Sequence, residues 1–199
     1  MRRTVDYYFA PQSPWMYLGH ARFTDIVQRT GAEVRVRPVD YGQIFAVSGG
    51  LPLPKRAPQR QAYRLVELRR FSEALGIPLN PEPRHFPVAG DPAGWLITVV
   101  ADQDGADAAM RLTGAVGRAI WMQERNVADD SVLTELLEEN GLDASRLGQS
   151  KQADVKARYD ENTRLAIDAG VFGAPSYVIE GEIFWGQDRL DFVERRLAG

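Results

Sequence analysis

The sequence predicts an α/β domain assembled as β-α-β, a long helical insertion, then α-β-β-α. Three observations predict it. Short segments near both ends alternate apolar and polar residues with period two, as half-buried strands do. The roughly hundred residues between them show helical spacing and no clear strand alternation. Across 199 residues there is no cysteine, so any core is held without disulfides.

In order, Thr4–Phe9 reads as a strand, with Val5, Tyr7 and Phe9 alternating against Thr4, Asp6 and Tyr8. Ala10-Pro11-Gln12 breaks it. Ser13 is a preferred N-cap and Pro14 suits a first helical position, so a helix is expected over 14–29, closed by Gly31. A strand follows at 34–37 and stops at Pro38. This strand-helix-strand unit is long enough for a right-handed parallel crossover. The segment 41–58, rich in Gly and Pro, reads as a long loop. Helices are expected over 59–75, with Leu65, Leu68, Phe71 and Leu75 in phase, and over 106–125, with 80–92 irregular. Another helix opens at Asp129-Asp130-Ser131, buries Val132, Leu133, Leu136 and Leu137, and ends before Gly141. A helix over 152–169 precedes Gly170. Ser176–Ile179 and Glu182–Trp185 then form a hairpin about Glu180-Gly181, and Asp188 is placed to cap a final helix. The order is that of a thioredoxin-like fold with an inserted helical subdomain. The discontinuous core is 1–40 and 166–199, and 41–165 is the insertion, its last helix packing back on the core.

Composition narrows the function. A net charge of −3 argues against a nucleic-acid partner, and the basic pairs Lys55-Arg56 and Arg69-Arg70 sit in mixed-charge segments that read as solvated faces. No stretch reaches the roughly 18 apolar residues of a membrane span, and the first residues carry no apolar signal region, so a cytoplasmic protein without a membrane partner is expected. Without cysteine, disulfides, zinc-thiolate sites and self-contained thiol redox chemistry are excluded, and no metal site is read.

Two motifs carry a family resemblance. Phe9-Ala10-Pro11-Gln12-Ser13-Pro14-Trp15-Met16-Tyr17-Leu18 resembles the F-D-x-x-S-P-aromatic-x-Y-L pattern of 2-hydroxychromene-2-carboxylate isomerases and kappa-class glutathione transferases, DsbA-like members of the thioredoxin superfamily. Val171-Phe172-Gly173-Ala174-Pro175-Ser176 with Trp185-Gly186-Gln187-Asp188-Arg189-Leu190 is similar to that family's V-F-G-V-P-T and W-G-N-D-R-L block, the more specific of the two. Gly76-Ile77-Pro78-Leu79 and Tyr159-Asp160-Glu161-Asn162-Thr163 also match, so the resemblance spans the chain. Ala10 departs from an acidic residue common in the family and Gln187 from Asn; Gln keeps the amide donors and acceptor but moves them.

The resemblance implies a thioredoxin-like fold, glutathione as cofactor and a homodimer acting on a small aromatic substrate. Cysteine-bearing relatives of this fold use the helix N-terminus to favour a thiolate. Here Ser13 stands there; it can donate a hydrogen bond to sulfur but cannot replace it, and the resemblance makes it the catalytic residue. Pro175 follows the superfamily's cis-proline pattern, which exposes the Ala174 backbone for pairing with the cysteinyl part of glutathione. Gln187 and Asp188 are implied to bind the γ-glutamyl carboxylate and ammonium, and a cleft containing Ser13 is expected beside Ala174. Read without the resemblance, Ser13 and Asp188 are plain helix caps and Pro175 an ordinary strand-start proline. His20 lies about 10 Å along the helix from Ser13, too far to serve as its base, and reads as a surface or packing residue. Trp15 and Trp185 flank the motifs and are candidate walls of an aromatic pocket; for a substrate carboxylate the candidate cations are Lys55, Arg56, Arg60 and Arg64. The activity implied is a glutathione-dependent isomerase that works by reversible thiolate addition to an aromatic 2-oxo acid or chromene. A glutathione transferase would share every glutathione contact. A cysteine-free peptide-binding module would need no γ-glutamyl clamp, so the Gln187-Asp188 pair argues against it.

Overall fold

The alternation in the first strand partitions side chains between two faces, and both are covered. The computed structural model describes residues 2–199. In β1 (Thr4–Phe9), Val5, Tyr7 and Phe9 enter the larger core together with Val34 and Val36 of β2 (Glu33–Pro38). Tyr8 enters a second core on the opposite face with Val178 of β3 (Ser176–Ile179). With β4 (Glu182–Trp185) the strands order as β2-β1-β3-β4, β2 parallel to β1 and the other pairs antiparallel. Burial on both sides is what a sheet flanked by two helical layers requires.

The first helix, α1 (Pro14–Thr30), is bounded as the sequence predicts, from Ser13 as N-cap to Gly31 with φ of 65°. Downstream, two expectations change. The predicted loop 41–58 begins with a helix, α2 (Tyr41–Ser48), capped by Asp40, whose Oδ1 accepts from the Gly42 N–H at 2.7 Å. Its buried Tyr41 and Ile44 close the second core, which is why this Gly-punctuated segment is helical. A helix unassigned from sequence, α4 (Asp91–Gln103), follows α3 (Pro58–Leu75) and buries Leu96, Ile97, Val99 and Val100.

Next, α5 (Ala106–Trp121) stops four residues short of the predicted 125. The reason is local: the Asn80 N–H takes the Trp121 carbonyl at 2.7 Å. The chain continues through α6 (Asp130–Glu139), the short unpredicted α7 (Ser145–Ser150) and α8 (Ala153–Asp168). The last helix, α9 (Leu190–Ala198), has no side-chain cap; Asp188 falls in a 3₁₀ turn at Gln187–Arg189 before it. The inserted helices share the sheet's larger core, where Met16 and Phe23 of α1 meet Leu112 and Val116 of α5. From the other side α8 packs on β2 and α2. No helix among the described residues is long and apolar enough to cross a membrane.

Candidate active site

Strand register brings the two motifs to one end of the sheet. Tyr8 stands opposite Ser176, so the chain leaves β1 toward Ser13 where it enters β3 from Gly173. Ser13 Oγ accepts the Met16 N–H at 3.3 Å, which satisfies one free amide of the helix start. That bond uses a lone pair and leaves the hydroxyl proton free to donate, so capping does not compete with a role toward a ligand.

The Ala174–Pro175 bond is cis, as the sequence leads one to expect; Phe86–Pro87, which it did not flag, is cis too. Three donors hold the segment on either side of Ala174. Tyr41 Oη at 2.7 Å and Ser176 Oγ at 2.6 Å both donate to the Gly173 carbonyl, and the Gly186 N–H donates to the Pro175 carbonyl at 2.9 Å. The N–H and C=O of Ala174 itself have no partner among the described residues. A backbone edge held rigidly but left unpaired is one an extended ligand can complete.

Beside it opens a cavity of about 520 Å³. Trp15, Tyr63, Phe71 and Trp185 supply aromatic walls, and Ala174, Gln187 and Asp188 border it. Trp15 meets Phe71 edge-on, ring centres 5.8 Å apart. Trp185 lies over Gly173, where an added Cβ would sit 2.2 Å from the indole nitrogen. Of the four candidate cations, Arg56, Arg60 and Arg64 line the cavity; Lys55 does not.

Two placements correct the sequence reading. Ser13 does not line this cavity, and neither does Pro175; Trp15 and Ala174 represent their segments there. The expected cleft containing Ser13 is therefore a cavity next to it, because the side chain of Ser13 turns back to cap α1. Gln187 is buried, and Arg22 Nη2 donates both to its side-chain oxygen and, at 2.9 Å, to its carbonyl. The turn presses so closely on α1 that a Cβ on Gly19 would lie 2.7 Å from the Gln187 Cβ. Arg22 and Gly19 thus shape the site, and nothing in the local sequence marks them. Asp188 is exposed and pairs with Arg189 at 2.7 Å, so it caps no helix.

Elsewhere, His20 is a packing residue and not a surface one. It lies between Tyr7 Oη at 3.3 Å and the Met110 carbonyl at 2.8 Å, and burial lowers its pKa to about 4. His85 is exposed and does not line the cavity. Among the described residues no group of three His, Asp or Glu is arranged to hold a metal ion.

Comparison with known proteins agrees with this fold. A family model described as a DSBA-like thioredoxin domain matches residues 4–198. A 2-hydroxychromene-2-carboxylate isomerase of Sphingobium xenophagum is 29% identical over 99% of each chain. An isomerase of the same name from Pseudomonas sp. (strain C18) is 28% identical over 98% of this chain and 90% of its own. Among solved structures, one of a 2-hydroxychromene-2-carboxylate isomerase superposes with a TM-score of 0.82 at 28% identity, covering 96% of this chain and 93% of that one.

Proposed function

The chain belongs to the DSBA-like thioredoxin-domain family, and from that premise we propose that it is a glutathione-dependent isomerase of the 2-hydroxychromene-2-carboxylate isomerase type. The full-length relatives carrying that name support the reaction class. The observation that carries the reading is the unpaired Ala174 edge beside an aromatic cavity in a chain with no cysteine. Glutathione, when bound, supplies the thiol this chain lacks, a nucleophile that can add to a conjugated double bond and leave again.

The residues present fit that cofactor. Ala174 offers one donor and one acceptor to a cysteinyl peptide unit, and Asp188, paired with Arg189 through one carboxylate oxygen, offers the other to an ammonium. The Gln187 side-chain oxygen is already taken by Arg22, so its share in holding a carboxylate falls to the amide nitrogen. Ser13 contributes the free hydroxyl proton, and the start of α1 adds the partial positive charge of its amides. Both favour a thiolate over a thiol. Trp15, Tyr63, Phe71 and Trp185 offer flat apolar faces to an aromatic 2-oxo acid or its chromene form.

Titration with glutathione, followed by calorimetry and thermal unfolding, tests this. A specific ligand raises the melting temperature by mass action, worth about 2.7 kcal/mol at a hundredfold excess over Kd. The melting temperature is expected to climb with glutathione and not with the same concentration of free glutamate, cysteine and glycine. No binding heat and no shift would remove the proposal.

A further inference from the structure

One wall of the cavity carries cations for which the protein provides no counter-charge. Arg56 precedes α3, and Arg60 and Arg64 stand four residues apart on it, the spacing that puts side chains on one helix face. Of the acids that line the cavity, Glu67 holds Arg70 at 2.7 Å, and Asp188, across from α3 in the turn before α9, holds Arg189. Arg56, Arg60 and Arg64 make no ion pair with a carboxylate among the described residues; the fourth arginine of the lining, Arg189, is paired with Asp188.

Arg64 is the most constrained of them. Its guanidinium carbon lies 5.2 Å from the ring centre of Phe86 and 5.7 Å from that of Trp121. These aromatic faces fix the plane of the group without neutralising it. Burial, and then the nearby charge of Arg56, lower its pKa to about 10, which leaves it charged at neutral pH. Arg56 is lowered too, by burial and then by Arg60. It donates Nε to the Leu51 carbonyl at 2.8 Å, so its terminal nitrogens remain free. Like charges withdrawn from water and left uncompensated are costly, and an anion would relieve that cost. A planar arginine fork takes a carboxylate with two parallel hydrogen bonds.

We propose that Arg56 and Arg64 seat the carboxylate of a planar aromatic acid whose ring lies among Trp15, Tyr63 and Phe71, and that this seat selects the substrate. It deepens the proposed isomerase reading by naming what recognises the substrate's acid group, and it rests on that reading only for the existence of a second ligand. Arg60, exposed on the same helix as Arg64, adds attraction for anions without holding one.

The test compares cinnamate with cinnamamide, the same conjugated ring with and without charge, by calorimetry. The protein is expected to bind cinnamate at least tenfold more tightly. Arg64→Gln and Arg56→Gln should each cut that ratio fivefold or more, Arg64→Lys should keep part of it, and Lys55→Gln, outside the cavity, should leave it intact. If Arg64→Gln lowers the melting temperature too far to measure, Arg56→Gln carries the same readout. Equal binding of the two probes by the unaltered protein, or a ratio that survives both Gln substitutions, overturns the proposal. Glutathione is titrated in parallel and should bind both Gln variants as it binds the parent. Loss of glutathione binding with the cinnamate preference intact would overturn the seat and give these arginines to glutathione. Selective cinnamate binding without any glutathione binding would uphold the seat and remove the cofactor reading instead.

Discussion

Ser13 is the residue at which an observed structural role and a proposed chemical one meet, and a single atom separates them. Its oxygen accepts the Met16 amide, while its proton is free. Ser13→Ala removes both, but the two losses differ in size. Losing an N-cap costs about 0.5–2 kcal/mol of stability, a few degrees of melting temperature. Losing a donor to a developed negative charge costs about 10²–10³ in rate. The variant is therefore expected to fold and bind glutathione, with isomerase turnover on an aromatic 2-oxo acid down by about two to three orders of magnitude. Turnover close to the parent's, measured with glutathione saturating, would make Ser13 a cap and nothing more. Gln187 shows the opposite arrangement: its side chain looks available in sequence, yet Arg22 claims the oxygen.

Among the elements, α2 bears on the site without lining the cavity, because Tyr41 reaches from it to the Gly173 carbonyl. Burial pushes the Tyr41 phenol far above its ordinary pKa, so it remains a donor at any working pH. Tyr41→Phe keeps the buried ring and deletes one of two donors to that carbonyl, at a cost of about 1–2 kcal/mol. Glutathione is expected to bind about three- to tenfold more weakly, since the Ala174 edge is less firmly held. Calorimetry beside thermal unfolding decides it: a lower melting temperature with unchanged glutathione affinity would limit Tyr41 to the fold. The sequence made β1, α1 and the hairpin legible because their signals are local, a period of two, a Ser-Pro start, a Gly stop. It hid α2 behind Gly42 and the Gly49-Gly50 pair, and α4 behind the β-branched run Ile97-Thr98-Val99-Val100, whose burial all round erases helical periodicity. Arg22 with Gln187, and Gly19 beneath it, were illegible for another reason. They meet across most of the chain's length, and contacts of that kind leave no pattern in neighbouring residues.

For the whole molecule, the buried His20 makes stability depend on pH. An unfolded chain's imidazole titrates near ~6.5, and the folded one at about 4. Between these values the unfolded chain takes up a proton that the folded protein refuses. Stability should therefore be unaffected by this group above about pH 6.5, fall as pH drops from there toward 4, and level off below. The full difference is on the order of 3 kcal/mol. Denaturant unfolding at several pH values, compared with His20→Gln, isolates it from the carboxylates; parallel pH profiles would show that His20 contributes nothing of the kind. The order β2-β1-β3-β4 has a consequence of a different sort, for a chain still being made. The interior strand β1 is synthesised before its antiparallel partner β3, with the whole run of inserted helices between them. Until residues beyond 176 emerge, one edge of β1 is a bare row of amides and carbonyls, the kind of template on which chains join wrongly. The intervening helices can form meanwhile from contacts close in sequence, so closing the sheet across the largest loop in the fold is expected to govern how fast the protein matures. Ala174 and Asp188 arrive with that same closure, and the proposed binding of glutathione appears only with it.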